Sequence, residues 1–377
     1  MTPFTVYFCG TGATRFGYSD PDYWNGELVS TLANHTEDQE FAHWVILDGP
    51  GSGNLQADEL TVQSTNHPYA GVAFGKGWET NIDHALNMMK GRFDWQRTEL
   101  SEAEHDRLVS HGVPVNEVEI SGSFWSRVYD YGDRKVNPQQ LQRQLAHIHR
   151  QGSLIPTQVN LVGWSRGGIS CHMLANAMLV DPELKDVPVN IFAIDPVPGP
   201  LNFQDDKVSL GGNVREYVGF YARDERSKTF ACVIPTTHPD TRVSIYPMPG
   251  RHATLVGNAS HDDSPGEPLI KEPGQVVRHL AETCLTRWGV SLRNTLDWNE
   301  QDLLDAHEKM ITHQTLYDAL HSHSYVGLTE SDQGERRVSL GNEWERFSNV
   351  QDATWQPREG LAADIALGVQ GYRSLRP

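Results

Sequence analysis

Cysteine is scarce and scattered in this chain. Cys9, Cys171, Cys232 and Cys284 form no C-x-x-C pair and no metal-ligand spacing, so neither a structural metal nor a disulfide framework is expected, and four buried, reduced thiols are. Long apolar runs are missing as well. No stretch of about 18 such residues is present to cross a bilayer, and residues 1–10 lack the basic, apolar and small-residue succession of a secretory leader. The expectation is a soluble chain without a transmembrane segment, made in the cytoplasm without a signal peptide. Basic charge is in deficit: 31 Lys and Arg stand against 49 Asp and Glu, a formal net charge of −18. That field repels phosphate-rich polymers and anionic lipid, which argues against nucleic acid and leaves any action on membranes to a local apolar surface. Internal repeats and single-residue tracts are absent. With 38% apolar and 21% charged residues, the 377-residue chain has a globular composition.

What is present is an alternation of short β-rich runs and helical stripes. The runs are Phe4–Cys9, His43–Asp48, Val115–Ile120, Thr157–Val162, Val189–Asp195, Arg215–Ala222 and Arg242–Tyr246. Between them, Thr80 caps a stripe of Ile82, Ala85, Leu86 and Met89 closed by Gly91, and Asn137-Pro138 opens another with Leu141, Leu145 and Ile148. Such alternation predicts an α/β protein, a mostly parallel sheet with helices on both faces. The core is expected over 1–270, with an insertion at 92–135 rich in Phe93, Trp95, Phe124, Trp125, Tyr129 and Tyr131 that is either a cap over the site or a surface subdomain. Residues 271–377 read as a C-terminal helical region, carried by Val276, Val277, Leu280, Cys284 and Trp288, then Leu303, Leu304, Met310, Ile311, Leu316 and Leu320.

The segment VGWSRGG at 162–168 carries the chemistry. Gly163 and Gly167 flank Ser165 at the spacing of G-x-S-x-G, the sharp strand-to-helix turn that exposes a serine oxygen at the top of a sheet. The context fits, with a β-branched strand before it and a helix from Ile169 to Met178 that should stop by Asp181-Pro182. A serine hydroxyl needs a base, and the base a carboxylate to hold its tautomer, following in the order serine, acid, histidine. His252, just past Pro249-Gly250 near the end of the core, is the first choice for the base, ahead of His238 and His261. Topology leaves two acids open. Asp195 ends VNIFAID among apolar residues and prolines, whereas Asp224 ends the next strand inside the charged run RDER, which reads as a surface ion-pair cluster. Backbone donors for an oxyanion are expected from Arg166, directly after the serine, and from the glycine-flanked loop at Thr11 and Gly12. That loop, GTGATR, lacks the G-K-[ST] ending of a phosphate loop, and no cofactor is expected.

Seven blocks in order, VYFCGTGATR, LDGPGSG, GWETNIDHALNMM, VGWSRGG, AIDPVPG, ARDERSKTF and YPMPGRHATLVGN, together resemble the bacterial and fungal α/β-hydrolase family that includes type VI secretion phospholipase effectors. The resemblance implies an α/β-hydrolase-like fold and a lipid esterase with Ser165 as nucleophile, Asp195 as acid and His252 as base. It further implies a lipid or phospholipid substrate, export by a specialised secretion system, and a secretion-carrier or immunity protein as partner.

Overall fold

The computed structural model describes residues 3–50, 78–91, 99–101, 119–123, 126–130, 155–227, 229–258, 270–322 and 336–346. Its first elements are β1 (Phe4–Phe8), α1 (Leu28–His35), β2 (Trp44–Leu47), α2 (Trp78–Met89), β3 (Glu99–Ser101), β4 (Glu119–Ser123) and β5 (Ser126–Asp130). Then come β6 (Val159–Trp164), α3 (Arg166–Val180), β7 (Val189–Ile194), α4 (Asp205–Val208), β8 (Val214–Ala222), β9 (Cys232–Ile234) and β10 (Arg242–Met248). The last are α5 (Glu272–Arg287), α6 (Glu300–Thr312), α7 (Gln314–Ala319), β11 (Arg337–Leu340) and β12 (Glu343–Arg346).

Six strands make one sheet in the order β2-β1-β6-β7-β8-β10, each neighbouring pair parallel. This is an α/β fold of the α/β-hydrolase-like kind. A parallel sheet is covered on both faces, which is why β1, β2, β6 and β7 are buried at every position and read as unbroken apolar runs. Alternate side chains feed two cores. Phe4, Val6, Phe8, Leu161 and Ile191 pack with Ile82, Met88, Ile169 and Leu174 of α2 and α3. Tyr7, Val162, Phe192 and Phe220 pack with Leu32 of α1, Val277 and Leu280 of α5 and Leu303 of α6.

The chain steps from β1 outward to β2, then returns to the other side of β1 to lay down β6. A crevice opens outside the carboxyl ends of strands where such an order reverses, and ligands bind there in open α/β sheets. The loop after β1 and the turn after β6 both lie at that point.

Several details differ from the sequence expectation. The run at Val115–Ile120 supplies no strand to the parallel sheet, because Glu119–Ser123 belongs to a separate antiparallel sheet ordered β3-β5-β4. Beyond α5, α6 and α7, the C-terminal region also contributes β11 and β12, and β11 pairs in parallel with the short β9. The helix expected after Asn137-Pro138 and the side chains of Phe93, Trp95, Phe124, Trp125 and Tyr131 lie outside the described residues. Among the described residues, no helix is long and apolar enough to cross a membrane.

Candidate functional site

Ser165 sits between β6 and α3 at φ 58 and ψ −124. A residue with a Cβ holds such a backbone only where its surroundings impose it, at roughly 1–3 kcal/mol of strain. Here they do. The Ser165 amide donates to the Ile194 carbonyl at 3.0 Å, and the Ser165 carbonyl accepts from Val197 at 3.2 Å. The flanking glycines are required by close approach: a methyl group on Gly163 would strike the Gly167 carbonyl, and one on Gly167 the carbonyls of Phe8 and Cys9.

His252 opens a short 3-10 turn, His252–Val256, beyond β10. Its Nδ1 lies 2.5 Å from Asp195 Oδ2. The ring packs between Trp164 and Phe230, with centroids 5.1 and 5.0 Å away, and Trp164 is the residue before Ser165. The His252 backbone is held too, its N–H donating to Glu225 Oε2 at 3.1 Å.

Asp195 follows β7 at φ 43 and is fully buried. Four donors converge on its carboxylate: besides His252, the Ala222 amide reaches Oδ1 at 3.0 Å, and Arg336 grips both oxygens, Nη1 to Oδ1 at 2.7 Å and Nη2 to Oδ2 at 2.8 Å. Burial pushes this carboxyl up, but Arg336 and His252 outweigh it and hold it at about 2, so Asp195 is an anion at neutral pH.

The other candidate acid is elsewhere. Asp224 is not on the surface, as its charged run suggested, but buried beyond β8. Its Oδ2 accepts the Gly250 amide at 2.7 Å and its Oδ1 faces His321 Nε2 at 2.8 Å, with Arg223 Nε at 3.4 Å. The structure thus brings Asp195 to His252 and Asp224 to His321. His238 is exposed with its Nδ1 3.5 Å from Asp240, and His261 lies outside the described residues.

Among the expected oxyanion donors, Arg166 is the first residue of α3, so its N–H is one of the helix's orphan donors. The Gly12 amide is engaged by the Pro50 carbonyl at 3.1 Å. The Thr11 amide has no acceptor within the described residues, which makes it the available donor of that loop. The two segments are tied together by a hydrogen bond from Arg166 Nη1 to Thr11 Oγ1 at 2.9 Å.

No protein-family model matches the sequence, and no curated protein matches it. Among solved structures the chain is similar to an uncharacterized protein from Pseudomonas aeruginosa, with 13% identity over 85% of this chain and 52% of that one at a TM-score of 0.48. It is similar also to the Tle1 effector bound to the VgrG spike from the type 6 secretion system, with 12% identity over 68% of this chain and 51% of that one at a TM-score of 0.32. The chain spans about half the length of each of these neighbours.

Three residues of the site went unread in the sequence. Trp164 was legible in principle, since it lies inside the elbow motif and its ring reaches His252. Glu225 was hidden by its charged neighbours, although its carboxylate takes the amides of Arg226, Ser227 and His252. Arg336 carries no local signal at all; it meets Asp195 only because β11 docks on β9. Among the described residues, no group of His, Cys, Asp and Glu side chains is arranged to hold a metal ion.

Proposed function

We propose that this protein is a serine esterase that hydrolyses acyl esters of lipids, a phospholipase in the sense implied by its sequence blocks. Ser165 attacks the ester carbonyl, and His252 takes its proton and later returns it to the leaving alcohol. Asp195 holds the imidazole tautomer and stabilises the imidazolium, while the amides of Thr11 and Arg166 receive the charge that develops on the carbonyl oxygen. The observation that carries the reading is the 2.5 Å contact of His252 Nδ1 with Asp195 Oδ2 beside a strained serine turn. The sequence resemblance extends the proposal to an effector exported by a secretion machine, with a carrier or immunity protein as partner.

The test is a fluorophosphonate probe followed by incubation with a mixed phospholipid extract. Wild-type protein should be labelled and release fatty acid. Ser165→Ala should lose both while keeping its fold, because the turn needs small neighbours and not the hydroxyl. Labelling that survives in Ser165→Ala would sink the nucleophile; labelling with amide but no ester turnover would move the activity to a peptidase on the same scaffold.

A further inference from the structure

A buried arginine ordinarily stands against a carboxylate, because a charge removed from water without a counter-charge is strongly disfavoured. Arg336 obeys this with Asp195 and Arg278 with Glu282 at 2.7 Å. Arg166 does not. It is 7% exposed, directly follows Ser165, and has a single side-chain hydrogen bond among the described residues, to the Thr11 hydroxyl at 2.9 Å. Among the described residues its Nε has no partner and no carboxylate stands within ion-pair reach. Burial lowers this guanidinium to about 10 with no opposing charge to raise it, so it still carries its proton at neutral pH.

The two segments that this hydrogen bond ties together also carry open donors: the opening amide of α3 and the amide of Thr11, neither with an acceptor among the described residues. A cation set among donors, with no acid to neutralise it, is a place for an anion. We propose that Arg166, steered by Thr11 Oγ1, forms an anion subsite beside Ser165 that takes the phosphodiester of a glycerophospholipid. The proposal rests on the esterase reading above and names the part of the substrate that selects it. A guanidinium is suited to phosphate oxygens, and with Thr11 engaging Nη1 and Nε enclosed, Nη2 is the nitrogen left open to one. Selection of an anion also needs a local cation here, since the net charge of −18 gives a general field that repels phosphate. A neutral glyceride would leave the guanidinium uncompensated in the bound state; a phospholipid compensates it on binding.

Two measurements test this on the full chain. In the first, glycerophosphocholine is titrated calorimetrically into Ser165→Ala, which cannot turn over. Binding is expected there, at least about tenfold weaker when Arg166→Gln is added, and intermediate with Arg166→Lys, which keeps the charge and loses the fork. In the second, kcat/KM is compared for phosphatidylcholine and for diacylglycerol of the same acyl chains in mixed micelles. The ratio should fall about 10- to 100-fold in Arg166→Gln. Equal losses on both substrates would overturn the proposal and give the side chain to the oxyanion or to the fold. Binding of decanoate but not glycerophosphocholine would overturn it in favour of a product carboxylate. Thermal melts verify folding, and should Arg166→Gln fail to fold, the binding and the ratio measured with Arg166→Lys decide the matter. Arg166-dependent binding of glycerophosphocholine in a protein that no fluorophosphonate labels would keep the subsite and discard the esterase.

Discussion

Among the described residues, two buried aspartates at the carboxyl ends of adjacent strands each meet a histidine, and the two pairs are wired differently. Asp195 beyond β7 meets His252 through Nδ1, and Asp224 beyond β8 meets His321 through Nε2. Both carboxylates accept a backbone amide and face an arginine. The surroundings of the imidazoles separate them. The His252 ring is buried against Trp164 at the serine turn, while His321 is about one-third exposed on a 3-10 turn, facing Arg226. An acid–histidine contact is therefore not in itself a catalytic signature. The nitrogen used, the burial of the ring and its distance from a nucleophile decide what such a pair can do.

The largest expected effect breaks this comparison outright. Asp195→Asn should lose roughly four orders of magnitude in turnover with substrate binding retained, since the amide favours the wrong imidazole tautomer. Asp224→Asn should stay within a few-fold of wild-type turnover and instead lose about 1–3 kcal/mol of stability, because one of its donors is left facing an amide. Steady-state kinetics with a denaturant titration reads both, and the reverse pattern would transfer the acid to Asp224.

Arg336→Gln sharpens the comparison, since the Arg336 grip is bidentate where Arg223 touches Asp224 once. Removing one partner of a buried ion pair should destabilise the protein by about 3–5 kcal/mol at pH 7. The sign with pH follows from the depressed carboxyl. With Asp195 at about 2 in the fold and near 4 when unfolded, its contribution is full above about pH 4 and is lost as pH falls toward 2. Arg336→Gln should shrink that contribution, so a chemical melt series from pH 5 to pH 2 should show a shallower additional loss in the variant.

The smallest effect concerns a histidine with no carboxylate. His172 is fully buried between the Lys207 carbonyl and Tyr217 hydroxyl, and burial lowers it to about 4. The unfolded chain binds this proton more readily, so stability should decline as pH drops from about 6.5 to about 4. His172→Gln should flatten that segment of the curve; an unchanged slope would assign it to other groups.

What could be read in advance divides along the range of the contacts. The elbow was legible because Gly163, Ser165 and Gly167 act within five residues, and the parallel strands because burial on both faces leaves unbroken apolar runs. The helix α1 escaped notice because Glu27 caps it, accepting from Val29 and Ser30, where serine, threonine or aspartate is the familiar signal. Three-residue β9 is too short for any periodicity. Which aspartate meets His252 was not legible, because it turns on a contact between residues 57 apart and on the inward turn of a charged run whose carboxylates satisfy backbone amides.

The Arg336 grip on Asp195 also has a consequence in time. The two residues are 141 positions apart, and a ribosome adds about 5–20 residues per second, so the arginine emerges on the order of ten seconds after the aspartate. During that interval Asp195 lacks its bidentate partner. A chain assembled in this order carries a buried carboxylate without its arginine until its late segment has docked, so the ion pair closes among the last steps of folding.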